Sequence, residues 1–87
     1  MKVILARSFL KNLRNISPKV VQRFKERCEM FAENPFNPSL HNHKLHGEYA
    51  GYWSINVTGN YRAVYRLVEI NRAEFFTIDT HSNLYGS

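Results

Sequence analysis

The sequence predicts an α+β fold: an N-terminal strand and a helical hairpin packed on an antiparallel β-sheet. Three observations predict it. Apolar residues recur at helical spacing as far as Glu33, then at a period of two beyond Pro35. Ser17-Pro18 and Asn34-Pro35 bracket the longer helix, since proline suits a first turn and pushes its preceding residue out of helical conformation. The chain has 87 residues with no repeat, low-complexity tract or interdomain linker, so residues 1–87 form one domain.

The elements follow in order. Lys2–Leu5 is a short run of β-branched residues and leucine, a predicted strand. Ser8 is placed to cap a short helix that reaches about Asn15. The second helix starts at Ser17-Pro18 and ends at Asn34-Pro35. Val20, Phe24, Cys28 and Phe31 form its apolar face. The short Asn15-Ile16-Ser17 link makes the two helices a hairpin. Pro38 to Gly47 reads as loop.

Three strands are expected after the loop. In Tyr52–Val57, Trp53, Ile55 and Val57 face one way and Tyr52, Ser54 and Asn56 the other. In Tyr61–Leu67, Tyr61, Ala63, Tyr65 and Leu67 oppose Arg62, Val64 and Arg66. Thr58-Gly59-Asn60 is the turn between them. A three-residue loop pairs Ile55 with Ala63 and Trp53 with Tyr65, and keeps the faces separate. A two-residue loop would set Ile55 opposite Arg62 and mix them. In the favoured register Asn56 opposes Arg62, and Tyr52 opposes Arg66. Glu69–Arg72 makes the next turn, and Glu74–Asp79 the last strand, with Phe76 and Ile78 inward. The tail Thr80–Ser87 then leaves the sheet.

The formal net charge of +5 is unevenly spread. Residues 1–27 hold eight basic side chains against one acid, Glu26. Such a surface attracts polyanions or an acidic protein partner. The single Cys28 excludes an internal disulfide and fits a reducing cytoplasm. No segment approaches the roughly 20 apolar residues of a membrane helix, and the apolar run at the N-terminus is too short for a signal peptide.

Several residues have side chains suited to chemistry. Arg62 and Arg66 share one strand face about 7 Å apart and are placed to grip phosphates. The competing reading has them covering apolar surface or pairing with Glu69, Glu74 or Asp79. His41, His43 and His46 form an H-x-H-x-x-H loop. No cysteine pair supports zinc at this spacing; His81 is conceivable as a fourth ligand, but a metal-free role suits these histidines better, so no metal and no cofactor are called. A histidine near neutral pKa moves protons instead. For His41 and His46 the plain reading, solvated loop residues, is favoured; for His43 both stand. His81 lies just past a strand end, where a rigid scaffold presents working groups. Tyr85 lies four positions on, placed to stack a base, donate a proton or pack the tail onto the sheet. Trp53 and Cys28 read as core.

The segments "NPFNPSLHNHKLHGEYAGYWSINVTGNYRAVYRL" and "TIDTHSNLY" give this chain a resemblance to the RelE/ParE superfamily of type II toxins, in its RelE/StbE and YafQ/HigB-like branches. A His-Lys-Leu-x-Gly loop, a Gly-Tyr-Trp-Ser strand, a Tyr-Arg-x-Val-Tyr strand and a C-terminal histidine segment recur there in this order. The resemblance spans nearly the whole chain. It implies a helical hairpin on a twisted antiparallel sheet. It also implies a metal-free endoribonuclease that cuts mRNA on the ribosome and inhibits translation. Carried over by position, His43 matches the loop histidine of the YafQ-like toxins, His81 their C-terminal histidine, Tyr85 the aromatic that follows, and Arg62 the arginine at the scissile phosphate. These four are the expected catalytic residues; Lys44, Asn56, Asn60 and Arg66 are the expected RNA contacts. Asn56 and Asn60 stand where YafQ carries a histidine and an aspartate, and Trp53 and Ile55 where RelE carries lysines.

The implied partners are a cognate antitoxin, acidic and partly disordered when free, together with mRNA and the ribosome. Operator DNA is expected only through the antitoxin complex, and no membrane. Two alternatives stand beside the nuclease: a ParE-like toxin that binds DNA gyrase, and a decayed toxin that binds only its antitoxin.

Overall fold

The computed structural model describes residues 1–86. Strand β1 (Lys2–Leu5) leads into helices α1 (Arg7–Leu13) and α2 (Pro18–Glu33). Strands β2 (His43–Lys44), β3 (Trp53–Asn56), β4 (Tyr61–Glu69) and β5 (Arg72–Thr80) follow, then a short helix α3 (His81–Tyr85). The strands form one sheet in the order β1-β5-β4-β3-β2. The predicted tail extends to Ser87, which lies outside the described residues.

The α+β architecture is the expected one, but the sheet is mixed. The meander β2–β5 is antiparallel, whereas β1 pairs parallel to β5, Val3 facing Ala73. A parallel pair needs a long crossover, and here the two helices and three strands between β1 and β5 supply it. The β3–β4 register is the predicted one: Ile55 faces Ala63, Trp53 faces Tyr65 and Asn56 faces Arg62. The Val57 amide donates to the Tyr61 carbonyl at 2.9 Å and closes the turn.

The helices bury one sheet face. Phe9 of α1 and Phe24 and Phe31 of α2 meet Tyr65 and Phe75, with Phe75 within 6.0 Å of all four ring centroids. The tilted and edge-to-face arrangements suit the aromatic quadrupole and add to the area buried. Val20 and Cys28 pack against this cluster, as their spacing on α2 predicts. Burial is also what raises the Cys28 thiol pKa, with a smaller push from Glu29.

Three expectations fail for physical reasons. The β4–β5 ladder shifts between Val64 and Tyr65, so Val64 opposes Thr77 while Tyr65 opposes Phe75. Phe76 is the extra residue of this bulge. Phe75 and Ile78 therefore enter the core, and Phe76 is carried to the opposite face, 4.7 Å from Tyr52 and 6.3 Å from Tyr49. A second shift after Leu67 leaves that residue 45% exposed rather than inward. Ser8 does not cap α1, which begins after Ala6. Its hydroxyl instead donates to the Phe76 carbonyl at 2.7 Å and ties the helix to the bulged strand. The tail that leaves the sheet is a short helix: Thr80 Oγ1 accepts from the Asn83 amide and starts α3.

Candidate active site

Register decides which side chains meet. Cross-strand partners point to the same side of a sheet. His43 pairs with Ser54, Ser54 with Val64, and Asn56 with Arg62. His43, Asn56 and Arg62 therefore share the face turned away from the helices. There α3 folds back and completes a cleft of about 460 Å³. Its lining comes from the loop and β2 (His41, His43 and His46), from β3 and β4 (Asn56 and Arg62) and from α3 (His81 and Tyr85). Four residues singled out from the sequence (His43, Arg62, His81 and Tyr85) thus stand around one space.

The loop carrying His43 is held by contacts that the sequence does not announce. His41 adopts a left-handed backbone, φ 49°, and ends the turn Pro38–Leu40. That turns its carbonyl onto His43, whose Nδ1 lies 2.7 Å away. A carbonyl can only accept, so Nδ1 carries the proton. In the neutral ring the lone pair is then on Nε2. Behind this loop the Tyr65 hydroxyl donates to Asn42 Oδ1 at 2.8 Å, and Asn42 Nδ2 donates to the Pro35 carbonyl at 2.9 Å. Asn42 is the residue missed by sequence reasoning. Its only signal is its place between two histidines.

Burial pushes the Tyr65 phenol pKa up to about 12. Below pH 10 the phenol is neutral whether folded or not, and the native hydrogen bond contributes its full stability. Between pH 10 and about 12 the unfolded chain ionises first, so stability is lost as pH rises. Tyr65→Phe should therefore cost about 1 kcal/mol near neutrality. Its deficit relative to wild type should shrink above pH 10. Urea titrations at both pH values check this; a deficit that grows with alkalinity would contradict the burial of the phenol.

Arg62 Nη1 donates to the carbonyls of Thr58, Gly59 and Tyr61 at 3.0 to 3.2 Å. The guanidinium is thereby anchored by one corner to the β3–β4 turn. Its other nitrogens have no protein partner among the described residues and remain as charged donors at the cleft. His81 begins α3, and its amide donates to the Asn60 carbonyl at 2.9 Å, which fixes the tail to the same turn. Asp79 Oδ1 braces the corner by accepting from the Thr80 amide and Asn83 Nδ2. The His81 ring meets Tyr85 edge-on at 4.8 Å, and Tyr85 in turn contacts Tyr49. The Tyr85 hydroxyl is buried and has no hydrogen-bond partner within the described residues. A buried hydroxyl in that position costs about 1–3 kcal/mol unless a ligand satisfies it.

The remaining expected contacts divide. Asn56 is in the cleft. Lys44 is at its rim, with Nζ 5.4 Å from the Trp53 ring centroid. Asn60 contributes its carbonyl to His81 but does not line the cleft. Arg66 lies outside it, paired with Glu74 at 3.1 Å. Among the described residues no group of three or more His, Cys, Asp or Glu is arranged to hold a metal ion. No helix among them is long and apolar enough to cross a membrane.

A family model for the ParE toxin of type II toxin–antitoxin systems, parDE, matches residues 3–85. No curated protein sequence matches. The fold is similar to that of YafQ from E. coli strain BL21(DE3), with a TM-score of 0.80 at 18% identity over 98% of both chains. It is similar to a YoeB/ParE toxin from Agrobacterium tumefaciens, with a TM-score of 0.74 at 25% identity, covering 93% of this chain and 99% of that one. A chain of the RelB–RelE antitoxin–toxin complex from Methanococcus jannaschii superposes with a TM-score of 0.74 at 24% identity over 94% of each.

Proposed function

Since the chain belongs to the ParE toxin family of type II toxin–antitoxin systems, we propose that it is a toxin that cuts mRNA through the cleft between β2, β4 and α3. The observation that carries this reading is the hydrogen bond from His43 Nδ1 to the His41 carbonyl. It leaves a basic Nε2 in the same cleft as a charged donor, Arg62, and a second imidazole, His81.

The reaction is a transphosphorylation. His43 Nε2 takes the proton of a ribose 2′-OH, and that oxygen attacks the adjacent phosphorus. Negative charge grows on the phosphate oxygens, where the free guanidinium nitrogens of Arg62 stabilise it. The P–O5′ bond breaks, and His81, entering as imidazolium, gives its proton to the departing oxygen. The products are a 2′,3′-cyclic phosphate and a 5′-hydroxyl. The Tyr85 ring stacks on a base or sugar, and its hydroxyl gains the partner it lacks in the protein. Side chains supply acid, base and charge stabilisation, so no cofactor is required. Lys44 and Asn56 hold the strand at the cleft, with Arg66 and Asn60 beyond it. The ribosome presents the mRNA.

The toxin is held inactive by a cognate antitoxin, an acidic segment that folds on binding. Antitoxin complexes of two similar folds, DinJ–YafQ and RelB–RelE, support this partner. Primer extension on a reporter mRNA after inducing the protein without antitoxin tests the reading. Discrete new 5′ ends are expected. Growth arrest with intact mRNA would replace the nuclease by a ParE-like gyrase inhibitor, a reading favoured by the family match itself and checked by a supercoiling assay. Normal growth with intact mRNA would leave a protein that only binds its antitoxin.

A further inference from the structure

A second cleft, of about 350 Å³, opens between α2 and the β3–β4 turn. It shares His41 and Asn56 with the first cleft, so the two adjoin. Arg23 and Arg27 line its helix side, Thr58 and Gly59 its turn side, and no carboxylate lines it.

The arginine at its centre is unusual. Arg27 is half-buried, and its Nε is fully buried with no hydrogen-bond partner. None of the ion pairs among the described residues includes it. Only Nε is closed off: the two Nη nitrogens are not fully buried and make no hydrogen bond or ion pair among the described residues, so they are the charged donors an anion in the cleft would meet. Arg23 meets only Glu26, at 3.5 Å and about half exposed, a pair that solvent weakens. The turn opposite is prepared for an anion as well. Thr58 Oγ1 already accepts from the Asn60 and Tyr61 amides, which leaves its own proton free to donate. Arg62 has drawn off the Thr58 and Gly59 carbonyls that would otherwise repel a phosphate.

We propose that this cleft is a phosphate subsite for the RNA strand, seating a backbone phosphate that neighbours the scissile one on Arg27, with Arg23 and Thr58 assisting. The proposal rests on the RNA reading of the first cleft. It also gives a use to two of the eight basic residues among the first 27, Arg23 and Arg27.

Fluorescence anisotropy with uncleavable 2′-O-methyl oligonucleotides tests it. A trinucleotide fills the catalytic cleft alone; a nonanucleotide also crosses the second. Arg27→Gln should weaken the nonanucleotide about tenfold and lower its salt slope by about 0.7. The trinucleotide should bind as before, and Arg27→Lys should recover part of the loss. Equal nonanucleotide affinity in wild type and Arg27→Gln would overturn the subsite and leave the RNA reading standing. So would a loss seen only in antitoxin binding, which would assign Arg27 to an acidic protein segment. An equal loss for both oligonucleotides would mean that Arg27 supports the fold. If wild type bound neither, the RNA reading itself would fall and take the subsite with it.

Discussion

Replacing His81 by alanine should slow RNA cleavage by about 10²–10⁴-fold, the range for a positioned general acid. Arg62→Ala should cost about 10²–10³-fold, the loss of one preorganised charged donor at the phosphate. Both variants should stay folded. His81 is exposed and its hydrogen bond to the fold is through the backbone amide, which alanine keeps; only the ring contact with Tyr85 is lost. The carbonyls released by Arg62→Ala belong to a partly exposed turn, where water can replace the guanidinium. In cells each variant should relieve growth arrest, and the new 5′ ends should disappear. Purified protein should show matching unfolding midpoints, which separates lost chemistry from lost fold. Full cleavage by both variants would place the active site elsewhere. Growth arrest that persists in both, with mRNA intact, would turn the assignment towards a protein target.

The largest stability effect is expected at Phe75. It is fully buried and touches Phe9, Phe24, Phe31 and Tyr65, so it joins both helices to the sheet. Phe75→Ala removes a ring that no neighbour can replace without breaking other contacts, at a cost of about 3–5 kcal/mol. A domain of this length has about 4–13 kcal/mol in all. The variant should therefore be partly unfolded at growth temperature and non-toxic for that reason alone. Ile70→Ala, at 90% exposed, should change stability by no more than about 0.5 kcal/mol. Urea unfolding followed by Trp53 fluorescence compares the two. A cost below about 1 kcal/mol at Phe75 would mean that the register shift placing it inward is wrong.

That register shift marks where local sequence information ends. Strict alternation along residues 74–79 points Phe76 inward, because alternation assumes an unbroken ladder. The bulge depends on how β4 and β5 fit together over their full length, and on Ser8 from a distant helix holding the Phe76 carbonyl. By contrast the β3–β4 pairing was readable. The two strands are joined by Thr58-Gly59-Asn60, and only one loop length keeps apolar residues on one face. Asn56 and Arg62 could be placed side by side from that alone.

The candidate site shows the same division. The residue types that suit RNA chemistry (loop histidines, a strand arginine, a histidine and tyrosine after the last strand) are written in the chain, as are the helical face of α2 and the break at Pro35. These features rest on backbone preference and on side-chain period, both local. Tertiary structure alone decided that β1 would lie parallel to β5, that α3 would bring His81 and Tyr85 over the sheet, and that Tyr65 would hold Asn42 behind His43. It also left Arg27 facing a cleft with no acid across from it. Each of these joins residues far apart in the chain. Such contacts form only when the whole core is packed, so no short window of sequence can specify them.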